Sequence, residues 1–119
     1  MNKYNGENMK KTFEDLLELS KHLRGPEGCP WDKEQTLDTL RPYIIEEAYE
    51  VVQAIEQRDR DELIEELGDL FYEVLFASQI AEDEGEFDIG DVIDRSIKSS
   101  SAGTRTYSAR KRRPTPKRR

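Results

Sequence analysis

Apolar residues recur at helical spacing in four stretches of the chain. Phe13, Leu16, Leu17, Leu19 and Leu23 form the first stripe. Thr12 stands before it as an N-cap candidate, with Asp15 at the capping-box position. Gly25 to Lys33 breaks the pattern with two glycines and two prolines, so a loop is expected there. Thr36 can cap a short turn through Leu40. Pro42, tolerated at the start of a helix, then opens a long helix to about Gln57 with the stripe Ile44, Ala48, Val51, Val52 and Ile55. After the polar turn Arg58-Asp59-Arg60, a third helix reaches about Glu84 on Leu63, Leu67, Leu70, Val74, Ala77 and Ala81, and Gly85 supplies its stop. Asp88 caps a fourth helix carrying Ile89, Val92, Ile93 and Ile97, which Ser99 to Thr104 ends. The expected fold is all-α, a bundle of about four helices.

Size and composition add an oligomer to that picture. A chain of 119 residues is one domain at most, and 34% hydrophobic content is low for a self-sufficient core. A core completed in a homo-oligomer, a dimer or larger, is therefore expected. Cys29 is the sole cysteine, so no internal disulfide can form, and no stretch has the length and apolarity of a membrane span or signal peptide. A cytoplasmic protein with no membrane partner is expected.

Charge divides the chain. All 26 Asp and Glu lie in residues 1–95 beside 10 Lys and Arg, a formal −16; residues 96–119 hold 9 Lys and Arg and no acid, a formal +9. The acidic body argues against a specific nucleic-acid partner. The tail, ending in Arg110-Lys111-Arg112-Arg113 and Lys117-Arg118-Arg119, is expected to be disordered.

Two acidic pairs carry the candidate chemistry. Glu47 and Glu50 on the second expected helix, and Glu66 and Asp69 on the third, are each spaced i and i+3, so each pair shares a helix face beside the apolar stripe. If the stripes pack together, the acidic edges face each other across a groove. Like charges held close raise one another's pKa, so convergence gains little without a cation. Oxygen-only ligands suit Mg²⁺, or Mn²⁺, rather than zinc. Two solvated acidic faces are the other reading of the same residues.

The spacing Glu47-x-x-Glu50, fifteen residues, Glu66-x-x-Asp69 matches the ExxE…ExxD signature of the all-α nucleoside triphosphate pyrophosphohydrolases. The run Leu23-Arg24-Gly25-Pro26-Glu27-Gly28-Cys29-Pro30-Trp31-Asp32-Lys33-Glu34-Gln35-Thr36 resembles the segment that precedes it in the MazG branch, and residues 10–95 carry the likeness. The resemblance implies hydrolysis of nucleoside triphosphates to monophosphate and pyrophosphate, with Glu47, Glu50, Glu66 and Asp69 as metal ligands. Catalytic roles fall to Glu46, Glu47 and Glu50, with Glu46 and Glu73 either activating water or remaining solvated. Glu73 departs from the family, which usually carries an amide or an apolar group there. The competing reading is a catalytically inactive acidic helical oligomerisation module.

Other residues stay open. Trp31 is either a plug over the helices or a platform for a base, and Lys33 is either a phosphate contact or a solvated lysine. His22 reads as a surface or interface residue, and Cys29 as a small buried apolar group. Residues 96–119 admit a second account as a frameshifted remnant of the last helix. Reading one nucleotide earlier from Ser96 to Ala109, the code permits Ile-Asp-Lys-Lys-Leu-Ile-Arg-Arg-His-Pro-His-Val-Phe-Gly, which MazG-like domains resemble at this place.

Overall fold

The computed structural model describes residues 12–101. They form five helices, and no strand occurs among them: α1 Phe13–Leu23, α2 Pro30–Glu34, α3 Leu37–Gln57, α4 Arg60–Asp83 and α5 Ile89–Ser101. The all-α expectation holds, with one more helix than the apolar stripes predict. The expected disorder of the tail concerns residues 102–119, outside the described part, while residues 96–101 continue α5.

Local chemistry explains each boundary. Thr12 and Asp15 form the expected box: Thr12 accepts from the Asp15 amide at 3.3 Å, and the Thr12 amide donates to Asp15 Oδ2 at 2.9 Å. Asp59 caps α4 by accepting from the Glu62 amide at 3.1 Å. Arg58, at φ 55°, makes the left-handed step between α3 and α4, and Gly85, at φ 76°, makes the one after α4. Asp88 and Asp91 bond each other's amides at 3.0 Å ahead of α5.

Two boundaries differ from expectation. Pro30 starts a single helical turn inside the expected loop, closed by the Lys33 amide on the Cys29 carbonyl at 3.0 Å. Proline fixes the φ that a first turn needs and has no N–H to lose there. Cys29 precedes that turn and is half-buried rather than buried. Farther on, α3 runs unbroken from Leu37 because Thr36 and Thr39 form a reciprocal box, at 3.2 Å and 2.8 Å. Pro42 falls inside it, where it cannot donate to the Asp38 carbonyl one turn back.

α3 and α4 form an antiparallel hairpin, and α1 and α5 pack on α4. The core gathers at the open end of that hairpin. Leu40, Phe76 and Ile80 are buried together, with Leu37, Tyr72 and Ala77 around them. The second half of α4 is enclosed widely: Leu75, Phe76, Ser78, Gln79, Ile80 and Ala81 are all buried. Its first half and the middle of α3 are not. Ile45, Tyr49, Val52 and Ile55 on α3, and Ile64, Leu67, Phe71 and Val74 on α4, remain exposed. No helix among the described residues is long and apolar enough to cross a membrane.

One side chain ties α2 to this frame. Arg24 donates Nε to Asp83 Oδ2 at 2.8 Å and Nη1 to the carbonyls of Asp32 and Gln35, at 2.7 and 3.0 Å, while its guanidinium lies over Phe76. The middle and the C-terminal end of α2 are thus held to α4. Gly28 allows the close turn before α2, since a Cβ there would overlap the carbonyls of His22 and Leu23. Arg24→Ala is expected to cost about 2 kcal/mol by urea unfolding, because two carbonyls lose a charged donor. Asp83→Asn, which removes only the half-exposed partner, is expected to cost about 1 kcal/mol or less. Equal losses would show that the two backbone carbonyls do not depend on Arg24 as their donor.

Candidate metal centre

The hairpin sets the two acidic pairs against each other, but not as packing of the two stripes requires. Leu67, Val74, Val52 and Ile55 of those stripes are exposed, whereas Glu66 is only 5% exposed. The carboxylates therefore occupy the seam between α3 and α4, and much of the apolar stripe lies to the side. The reading as solvated acidic faces fails for Glu66, and Glu47 and Glu50 are half-buried. Periodicity finds an apolar face without revealing whether the next helix or another molecule covers it.

Glu47, Glu66 and Asp69 each offer a carboxylate oxygen within 4.8 Å of the others. Glu50 completes the expected four differently: its carboxyl lies within hydrogen-bonding reach of Glu66. Glu47 Oε2 and Glu66 Oε1 are buried and receive no hydrogen bond from any N–H or hydroxyl group. Buried carboxylate oxygens without donors are costly unless protonated or bound to a cation. All the converging donors are oxygens, which is the set a hard divalent ion takes. The residues present therefore fit a divalent cation.

The electrostatics agree. Glu66 is pushed up to about 8, first by the carboxyl of Glu62, then by burial and by the carboxyls of Glu50 and Glu47. A hydrogen bond within such a carboxyl pair requires one of the two to hold a proton. Burial raises Glu47, with added repulsion from Asp69, Glu50 and Glu46, while its hydrogen bond with Glu66 opposes the rise. Burial also raises Glu73, followed by the charges of Glu47, Asp69 and Asp32. No basic side chain contributes to any of these shifts.

The remaining candidates divide. Glu46 is exposed, and its charge reaches Glu47. Trp31 is half-exposed and meets Tyr43 edge-on, ring centres 5.7 Å apart, so it is not a sealed plug. Lys33 Nζ donates to the Pro26 carbonyl at 3.2 Å, folded back on its own loop. His22 is exposed, as read. Sequence reasoning missed Glu62, Asp32 and Tyr43. Glu62 sits four residues before Glu66, a spacing that could have flagged it. Asp32 reaches the site only because Arg24 holds α2 in place, which no local pattern reveals. Beside the carboxylates, toward the α3–α4 turn, a cleft of about 230 Å³ is lined by Glu50, Gln53, Gln57, Asp59, Glu62 and Glu66.

A helical hairpin with acidic residues converging on its seam defines an all-α domain with a candidate metal centre. The MazG nucleotide pyrophosphohydrolase domain matches residues 35–100, and the chain belongs to that family. The nucleoside triphosphate pyrophosphohydrolase of Escherichia coli K12 is 54% identical over 78 residues, covering 65% of this chain and 30% of that protein. The nucleoside triphosphate pyrophosphohydrolase/pyrophosphatase MazG of Thermotoga maritima is 49% identical over 81 residues, 68% of this chain and 32% of that one. The crystal structure of a mazG-related protein from Thermotoga maritima superposes with a TM-score of 0.63 at 31% identity, over 74% of this chain and 75% of that one. The chain spans about a third of the length of these two curated relatives.

The raised acids set a pH dependence. In the unfolded chain Glu66 ionises near 4.5; folded and metal-free, it keeps its proton to about 8. The folded state thus binds more protons across that window, and stability falls as pH rises through it. The melting temperature of EDTA-treated protein should fall by about 5 °C or more between about pH 5 and pH 8. Glu66→Gln should flatten that fall, and Mg²⁺ should reverse it at the alkaline end. A melting temperature that rises over this range would contradict the arrangement.

Proposed function

We propose that this domain hydrolyses nucleoside triphosphates to nucleoside monophosphate and pyrophosphate with a divalent cation, Mg²⁺ or, as second choice, Mn²⁺. The observation that carries the reading is the pair of buried, donorless oxygens on Glu47 and Glu66, beside Asp69 and Glu50, in a chain of this family. Bound there, the cation would neutralise triphosphate oxygens and lower the pKa of an attacking water. Glu47, Glu50, Glu66 and Asp69 would hold it. Glu46, exposed beside Glu47, would accept a proton as water attacks the α-phosphorus and the bond to the β-phosphate oxygen breaks. Trp31, half-exposed beside Tyr43, would offer its ring to the base. Lys33 reaches phosphate only by leaving Pro26.

Exposed apolar side chains on α3 and α4 support a homo-oligomer, a dimer or larger, since Ile45, Tyr49, Val52, Ile64 and Leu67 would leave water on burial against other copies. The same side chains support the second reading, an inactive oligomerisation module. We place the domain in the cytoplasm, where its substrate class is found and Cys29 stays reduced. For residues 96–119 we keep the frameshift account as a proposal; the family match ends at residue 100. Coding DNA whose codons forbid the alternative translation would remove it.

The test is Mg²⁺-dependent pyrophosphate release from a panel of nucleoside triphosphates. Glu66→Gln and Glu50→Ala are each expected to lower the rate by about 100-fold or more, the scale on which one charge-stabilising group acts. Folded protein that dimerises but releases no pyrophosphate with any substrate or metal would leave the oligomerisation module standing.

A further inference from the structure

Tyr43 stands four residues before Glu47 on α3, so one helical turn, about 6 Å, separates them on the same face. That face runs from buried Leu40 through Tyr43 to half-buried Glu47 and Glu50. Trp31 reaches it from α2 and meets Tyr43 with ring centres 5.7 Å apart and planes at 78°. Tyr43 is 40% exposed and Trp31 50%, so two nearly perpendicular rings form an open corner with aromatic walls. Hydrogen bonds hold that corner, not burial of its rings. Arg24 donates to the carbonyls of Asp32 and Gln35, and Gln35 Nε2 donates to the Trp31 carbonyl at 3.1 Å.

The two ends of the seam therefore differ in chemistry. Toward the α3–α4 turn the lining is Gln53, Gln57, Asp59 and Glu62, amides and carboxylates with no aromatic ring among them. At the α2 end stand the two rings. A base has a π-face that stacks on aromatic side chains, and the α2 end is the one that offers such a surface. In a nucleotide whose α-phosphate meets a cation held by Glu47, the base lies one sugar away, a step that the turn from Glu47 to Tyr43 matches. We propose that Tyr43 is a substrate-binding residue that seats the nucleobase together with Trp31, so that the nucleoside lies at the α2 end of the seam. Stacking is open to every base, and the larger purine rings cover more of both walls, so purine triphosphates are held more tightly than pyrimidine triphosphates. This rests on the pyrophosphohydrolase reading and gives its substrate an orientation and a base preference.

Trp31 is the sole tryptophan, so its fluorescence reports on this corner alone. The experiment titrates the full chain, with Mg²⁺, with non-hydrolysable α,β-methylene analogues of ATP and UTP and with base-free tripolyphosphate, and measures pyrophosphate release from ATP alongside. Both analogues are expected to quench Trp31 saturably, the ATP analogue with the lower Kd, and tripolyphosphate to leave it unchanged. Tyr43→Ala is expected to raise the KM for ATP about tenfold with kcat affected far less, and Tyr43→Phe, which keeps a ring, to restore it. If pyrophosphate is released, any of three results would overturn the proposal and leave the pyrophosphohydrolase reading intact: a Trp31 silent to both analogues, equal quenching by tripolyphosphate, or equal Kd for the two analogues. No quenching and no pyrophosphate from any triphosphate would overturn both. The wild-type titrations decide the point even if Tyr43→Ala does not fold.

Discussion

Carboxylates from two helices converge on one seam of this domain, and no basic side chain takes part in their shifts. Within hydrogen-bonding reach, such groups cannot all ionise at low cost. The metal-free state answers by holding protons, most firmly on Glu66. A divalent cation answers better, because it satisfies several buried oxygens at once. The remainder of the fold has to hold α3 and α4 at the spacing that makes this exchange available.

It does so by placing its apolar anchor away from the acids. Leu40, Phe76 and Ile80 close the open end of the hairpin, and the enclosed half of α4 packs against α1. Arg24 fastens α2 to α4 through Asp83 and two backbone carbonyls. That brace brings Trp31 next to Tyr43 and lets the charge of Asp32 reach Glu73. Structure and candidate chemistry share little material here: the buried cluster of Leu40, Phe76 and Ile80 contains none of the converging carboxylates. Tyr49, Val52 and Leu67, all exposed, belong to neither.

Much of this was legible in the sequence because it is written locally. Thr12 with Asp15, Asp59, Gly85 and Asp88 mark helix ends by their own hydrogen-bonding or backbone preferences. The i, i+3 spacing of Glu47 with Glu50 and Glu66 with Asp69 follows from helix geometry alone. What the sequence obscured depends on packing. The stripes Ile44–Ile55 and Leu63–Ala81 give a direction for an apolar face but not its partner, so the acids were expected beside the seam rather than in it. Glu73, which a pattern reading leaves open between solvated and functional, has a buried oxygen that spacing along one helix does not foretell. Asp32 enters through Arg24, a contact no helical period encodes. Pro42 misled for a plainer reason: the Thr36 and Thr39 box begins α3 ahead of a residue that more often starts a helix.

The central claim is that the seam exists to hold a divalent cation. Anomalous diffraction at the manganese edge, from crystals of the chain grown with Mn²⁺, tests it directly. A peak is expected among the carboxylate oxygens of Glu47, Glu66 and Asp69. Ordered carboxylates with no peak between them, at a manganese concentration that saturates binding in solution, would contradict it.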